Sequence, residues 1–199
     1  MPSNTPLSQQ DTKQEIRDWA KSKAPTNDEE ILEKGSKIVS VVLGTDETLS
    51  ADQMALFAPR SREPDLRDIW HKWPNKCVFP IVIPEKNALL FAYVYDLHEL
   101  KSGYKGILEP PVREPTLEKP WKPGDVILVP GLAFDVKGGR IGSGMGFYDR
   151  FLAQLPPGVL KWGICWDAQF SKKPLIQADN DIKMDAVVTE AGFHPAKKK

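Results

Sequence analysis

A short apolar run, Val126-Ile127-Leu128-Val129, passes through Pro130 toward a segment that packs five glycines into the nine residues from Gly138 to Gly146. A helical pattern then resumes with Phe147-Tyr148-Asp149-Arg150. Strand, glycine turn and helix in that order restrict the chain to few architectures. Apolar runs without alternation belong to strands buried on both faces, and helices between such strands make a parallel sheet covered on both sides. The predicted class is therefore α/β, a mainly parallel sheet with helices on both faces, whose ligands should lie beyond the carboxyl ends of strands.

The rest of the chain is read in the same terms. Thr12 and Glu15 have the spacing of a capping box, opening a helix that carries Ile16, Trp19 and Ala20 on one face and stops at Pro25. Thr26 and Glu29 repeat that spacing ahead of Ile38-Val39-Ser40-Val41-Val42-Leu43, whose β-branched content predicts a strand. Ser50 and Gln53 would cap the next helix, and another should span 65–73. Residues 77–83 and 89–95 read as strands around Pro84-Glu85-Lys86-Asn87. A proline-punctuated surface connection follows, then a strand over 126–129, a helix over 146–155, and strands over 162–166 and 185–189.

The 199 residues suit one domain, placed at 11–195 between flexible tails at 1–10 and 196–199. Lys and Arg number 27, as do Asp and Glu, so no overall field favours nucleic acid or an anionic membrane. The start has no basic stretch leading into an apolar core, and no later run approaches a membrane span, so a cytoplasmic location is expected. Cys77 and Cys165 each sit in an apolar run, which favours buried thiols over a disulfide or metal site. His71, His98 and His194 lack ligand spacing.

Glycines without Cβ atoms allow consecutive N–H groups to converge on an anion, and Asp149 stands where it could hold a cation carried in by a nucleotide. The loop has no Gly-Lys-Ser/Thr ending and lacks the dinucleotide spacing, so a tight structural turn is an equal reading of the loop alone. Lys13 and Arg17, four apart, project from one side of the first helix, as phosphate clamps or as a solvated face.

Taken together, the parts form a set that resembles the 5-formyltetrahydrofolate cyclo-ligases, or methenyltetrahydrofolate synthetases, over almost the whole chain. The set comprises Lys13-Gln14-Glu15-Ile16-Arg17, Asp46-Glu47-Thr48-Leu49-Ser50, Gly106-Ile107-Leu108-Glu109-Pro110 and Val129-Pro130-Gly131-Leu132-Ala133-Phe134-Asp135. It continues with Arg140 through Arg150, Asn180-Asp181 and Asp185 through Glu190. The resemblance implies a fold related to the sugar-phosphate isomerase and CoA-transferase-like folds. It also implies ATP- and Mg2+-dependent closure of 5-formyltetrahydrofolate to 5,10-methenyltetrahydrofolate with release of ADP and phosphate. The partners would be ATP and a reduced folate, polyglutamylated or not, bound by a monomer.

By the same resemblance Arg17, Arg140 and Asp149 are catalytic, and Lys13, Arg17, Arg140, Ile141, Gly142, Ser143, Gly144, Met145, Gly146, Phe147 and Tyr148 bind ATP. Leu43, Glu47, Ser143, Gly144, Met145, Gly146 and Phe147 bind the folate, and Asp149 and Asp181 the Mg2+. Tyr148 could instead pack in the core, Asp181 could belong to a turn, and Trp70, Trp73 and Trp121 could flank the pterin. The chain departs from the family pattern at Met145, where glycine or lysine is common, at Phe147, where tyrosine is common, and at Ile81, where a basic residue is frequent. Those departures motivate an alternative, a noncatalytic nucleotide- or folate-binding regulator on the same fold.

Overall fold

A computed structural model describes residues 11–112 and 119–197. Helix α1 (Lys13–Lys23) opens on the expected capping box: Thr12 accepts from the Glu15 N–H, and the Glu15 carboxylate accepts from the Thr12 N–H at 2.7 Å. Its buried residues Ile16 and Ala20 face a small cluster with Ala133 and Ile141.

Residues 38–43, expected as a strand, close helix α2 (Asp28–Leu43), which Asn27 rather than Thr26 caps. Gly35, Ile38, Val39 and Val42 are its buried residues, spaced i, i+3, i+4, i+7. A β-branched residue in a helix costs at most about 0.7 kcal/mol, whereas burying its side chain contributes roughly 1.5–3 kcal/mol, so helical burial wins. Ser36 and Ser40 sit exposed on the outer side and return their hydroxyls to the carbonyls four residues back.

The chain continues through α3 (Asp46–Ser50), capped by Thr45 where Ser50 had been expected to begin a helix. Then come β1 (Met54–Ala55), α4 (Arg67–Lys72), β2 (Cys77–Ile83) and β3 (Ala88–Ala92). A two-stranded hairpin, β4 (Lys101–Ser102) with β5 (Leu108–Glu109), precedes β6 (Val126–Pro130). A second hairpin, β7 (Ala133–Asp135) and β8 (Arg140–Ile141), intervenes before the glycine turn and α5 (Phe147–Leu152), which is shorter than predicted. The last strands are β9 (Leu160–Ile164), β10 (Phe170–Ser171), β11 (Ala186–Thr189) and β12 (Gly192–Pro195).

Seven strands form one sheet in the order β12-β11-β9-β6-β1-β2-β3. The five inner strands run parallel, and β12 and β3 are antiparallel edges. Side chains alternate across it: Met54, Leu128, Trp162 and Val188 pack with α2 and α4, while Ala55, Val129 and Val187 pack with α5. Helices therefore cover both faces. Cys77 and Cys165 are buried free thiols, and burial pushes Cys77 up to about 12.

Ala196 and Lys197, assigned by sequence to the flexible tail, are tied down instead: their N–H groups donate to Asp185 O and Val136 O, both at 2.9 Å. The expected tails at 1–10 and 198–199 lie outside the described residues. No described helix is long and apolar enough to cross a membrane.

Candidate active site

Strand order in the main sheet reverses between β1 and β6, because the chain leaves β1 toward β2 on one side and leaves β6 toward β9 and β11 on the other. Backbones diverge at such a point and open a crevice beyond the strands' carboxyl ends. A cavity of about 560 Å3 lies there. Phe57, Ala58, Arg60 and Glu63 reach it from the segment after β1, and Pro130, Gly131 and Leu132 from the end of β6 and the residues after it. The glycine turn forms one wall, Lys13 and Arg17 of α1 another, and Tyr104, Lys105, Ile107 and Glu109 a third.

The cations are held in place before any ligand arrives. Lys13 pairs with Asp181 across 168 residues of sequence. Arg17 donates Nε to the Gly142 carbonyl at 3.0 Å, fixing α1 to the glycine turn. Arg140, only 8% exposed, donates Nη2 to Asp149 Oδ2 at 2.7 Å and Nη1 to the Pro130 carbonyl at 3.3 Å. Its guanidinium carbon lies 5.8 Å from the Tyr148 ring centroid.

Two observations favour glycine in the turn. Gly144 and Gly146 adopt φ of +96° and +66°, which side chains with L chirality adopt at a cost. A Cβ at Gly142 would lie 2.8 Å from Arg140 Nη1, and one at Gly144 would lie 3.3 Å from Arg17 Nη2. What the missing Cβ atoms admit, in the protein itself, is arginine. The turn thereby brings two guanidiniums alongside its backbone.

Two buried polar atoms here lack a partner among the described residues: Arg140 Nε and the Tyr148 hydroxyl. Both belong to residues lining the cavity. Burial raises the Tyr148 phenol, so it stays protonated, a donor without an acceptor. Burial likewise raises the Glu63 carboxyl, against the opposing hydrogen bond from the Arg60 N–H at 2.9 Å. Burial also works against ionisation of Asp181, but the Lys13 ammonium and the Ala178 N–H outweigh it and hold that carboxyl below its ordinary value. A site with orphaned donors, guanidiniums and an apolar wall of Phe57, Val82, Leu89 and Phe147 suits a ligand that is anionic at one end and aromatic at the other.

The family model of the 5-formyltetrahydrofolate cyclo-ligases matches residues 9–190. The chain belongs to that family. A mitochondrial 5-formyltetrahydrofolate cyclo-ligase of Arabidopsis thaliana is 32% identical over 137 residues, 61% of this chain and 49% of that protein. The cyclo-ligase of Haemophilus influenzae is 36% identical over 89 residues, 44% of this chain and 46% of that protein. The chain thus spans about half the length of these curated relatives. The Aquifex aeolicus 5,10-methenyltetrahydrofolate synthetase, solved by NMR, superposes with a TM-score of 0.77 at 29% identity, covering 94% of each chain. The synthetase of Mycoplasma pneumoniae shares the fold at a TM-score of 0.68 and 21% identity, covering 89% of this chain and 98% of that one.

Set against this cyclo-ligase fold, the sequence-derived residues divide clearly. Lys13, Arg17, Arg140, Ile141, Gly142, Ser143, Gly144, Met145, Gly146, Phe147, Tyr148, Asp149 and Asp181 all line the one cavity. Tyr148 lines it while also packing against the core on the α5 side of the sheet. Leu43 and Glu47 do not line it: Leu43 packs on the α2 side of the sheet and Glu47 is exposed in α3. The physical reason is the misread strand. With residues 38–43 helical, the acid beyond a strand end is Glu63, which follows β1. The run Met54-Ala55-Leu56-Phe57-Ala58 has no β-branched residue to announce a strand, and so Glu63 was missed. Trp70, Trp73 and Trp121 also lie outside the cavity lining, where Tyr104 supplies an aromatic wall instead. Ile81 is buried in β2 between the lining residues Pro80 and Val82.

Among the described residues no group of three or more His, Cys, Asp or Glu could cage a metal. Asp149 and Asp181 are hard oxygen donors, each already balanced by a cation. That donor set suits a Mg2+ carried by a triphosphate, which keeps waters and phosphate oxygens and needs few carboxylates.

Proposed function

We propose that the chain catalyses ATP-dependent closure of 5-formyltetrahydrofolate to 5,10-methenyltetrahydrofolate, releasing ADP and phosphate. The observation that carries this reading is the convergence of Lys13, Arg17, Arg140 and the glycine turn on one cavity with an apolar wall, in a chain of the cyclo-ligase family. The formyl oxygen attacks the γ-phosphorus and ADP leaves, making that oxygen part of a good leaving group. N10 then attacks the formyl carbon and loses its proton, and phosphate departs with the former formyl oxygen.

Phosphoryl transfer depends on positioning and charge neutralisation more than on a protein nucleophile. Lys13, Arg17 and Arg140 supply the positive charge, the turn's backbone N–H groups add donors, and Asp149 and Asp181 would hold the Mg2+ that accompanies ATP. Phe57 and Tyr104 provide surfaces for the pterin. Glu63 takes the role that the sequence suggested for Glu47, a carboxyl facing the pterin's N–H donors. Burial raises its pKa against the Arg60 N–H, and N–H donors of a bound pterin would favour the ionised form.

The test is one assay with purified protein, Mg-ATP and 5-formyltetrahydrofolate carrying 18O in the formyl group. Methenyl absorbance, equimolar ADP and 18O in the released phosphate are expected. Tight binding of both substrates without any of these products would favour the noncatalytic regulator, to which the loss of a cation at Met145 points.

A further inference from the structure

The third wall of the cavity, residues 101–109, is a strap whose turn faces the glycine loop. Gly103 N–H donates to Ile107 O at 2.7 Å, and Tyr104 N–H donates to the Glu109 carboxylate at 3.2 Å, so a buried acid fixes the turn from below. The Tyr104 ring meets Phe147 edge-on with centroids 5.7 Å apart, docking the strap onto the start of α5. Within that turn Lys105 holds φ 51° and ψ 32°, a left-handed conformation that is uncommon for a residue other than glycine. The consequence is that Lys105 projects across the cavity mouth to the opposite wall. Its Nζ reaches 3.8 Å from Met145 Sδ, at the crest of the glycine loop.

A thioether is a weak acceptor, and an ammonium has three donors to satisfy. Three other cations of the cavity are better held: Lys13 by Asp181, Arg140 by Asp149, Arg17 by the Gly142 carbonyl. Among the described residues, no carboxylate lies within ion-pair reach of Lys105. Its Nζ also lies 5.3 Å from the centroid of the Tyr104 ring, so the ammonium has a π face and a sulfur as neighbours and no anion, and it gains from an anion arriving between strap and loop. The position that faces it in the loop, Met145, brings no charge of its own.

We propose that Lys105 completes the polyphosphate site from the strap side, exchanging its contact with Met145 for phosphate oxygens when Mg-ATP binds. This rests on the ATP reading above. It makes Lys105 a polyphosphate-binding residue carried on a strap that Tyr104 already docks against Phe147.

The experiment is calorimetric titration of the full chain with Mg2+ and a non-hydrolysable ATP analogue, alongside steady-state kinetics. Lys105→Asn keeps a residue that tolerates the left-handed backbone while removing the charge, so its unfolding midpoint should match that of the unsubstituted protein. Its affinity for the analogue should fall about tenfold, the loss of one charge-assisted contact, with KM for the folate unchanged. Lys105→Arg should retain affinity within about threefold. Equal affinity in Lys105→Asn and the unsubstituted protein overturns the assignment while leaving the ATP reading intact. So does an Arg variant as weak as the Asn variant, which would place the effect in the strap's backbone. Failure of the unsubstituted protein to bind the analogue at all overturns the ATP reading, and this inference with it.

Discussion

Arg140 and Asp149 face each other across the glycine turn at 2.7 Å, with side chains 7% and 16% exposed. The acid that would hold a nucleotide's metal is thus also the counter-ion of the cavity's most buried cation. Two demands, one from folding and one from chemistry, meet in a single carboxylate.

Asp149→Asn therefore carries two costs. The neutral amide keeps an acceptor for Arg140 but leaves its charge uncompensated, and breaking a buried pair costs up to about 3–5 kcal/mol, less here because Asn still accepts a hydrogen bond. Turnover should fall at least about a hundredfold, the scale of losing a positioned electrostatic group. Thermal unfolding and ADP release measured on the same preparation separate the two, and near-normal turnover would remove Asp149 from the metal role.

Arg17 ties α1 to the turn through the Gly142 carbonyl and lines the cavity with the rest of its guanidinium. Arg17→Ala should raise KM for ATP about tenfold or more and leave KM for the folate within a factor of about two. Arg17→Lys should recover little, since a single ammonium cannot hold the carbonyl and a phosphate in the same fork geometry. An unchanged dependence on ATP would exclude Arg17 from the nucleotide site.

Glu63 provides a pH test whose sign is fixed. Burial raises its pKa in the folded protein above the ordinary carboxylate value. The folded state therefore binds the proton more tightly than the unfolded chain. The stability this group contributes is fully present below the ordinary glutamate pKa and is lost as pH rises through the raised value. Glu63→Gln should unfold at a higher temperature than the unsubstituted protein at pH 7, and the advantage should shrink toward pH 4. It should also weaken folate binding, and a variant stabilised at neutral pH with unchanged KM for the folate would detach Glu63 from the substrate.

Gly163 in β9 isolates packing from catalysis, because it lies outside the cavity lining. A Cβ there would sit 2.2 Å from Cε1 of the fully buried Phe134 ring. Gly163→Ala should destabilise by roughly 1–3 kcal/mol through overpacking, with no direct effect on KM for either substrate. Adding Phe134→Leu should return part of the loss in a denaturant titration, and simple additivity of the two substitutions would contradict the contact.

The sheet's parallel class and its helices on both faces were legible because burial on both sides of a strand leaves an apolar run that composition reveals. The capping box at Thr12 and Glu15 was legible because both partners lie within one turn. Residues 38–43 misled for a matching reason: β-branched content argues for a strand, and only the i, i+3, i+4, i+7 burial of Gly35, Ile38, Val39 and Val42 against the sheet settles the helix. β1, two residues long, is specified by its neighbours β2 and β6 rather than by its own propensity.

The local chemistry is written in the order of residues: the glycine turn, the cations Lys13, Arg17 and Arg140, the acids Asp149 and Asp181, and the family set to which they belong. Tertiary structure alone decided which of them meet. Lys13 and Asp181 pair across 168 residues because α1 folds back over the carboxyl ends of the sheet. Glu63 enters the cavity and Glu47 does not because strand order reverses between β1 and β6. Periodicity records only which side of its own element a residue buries. Convergence of distant residues depends on strand order and loop path, fixed when all the elements bury their apolar faces together.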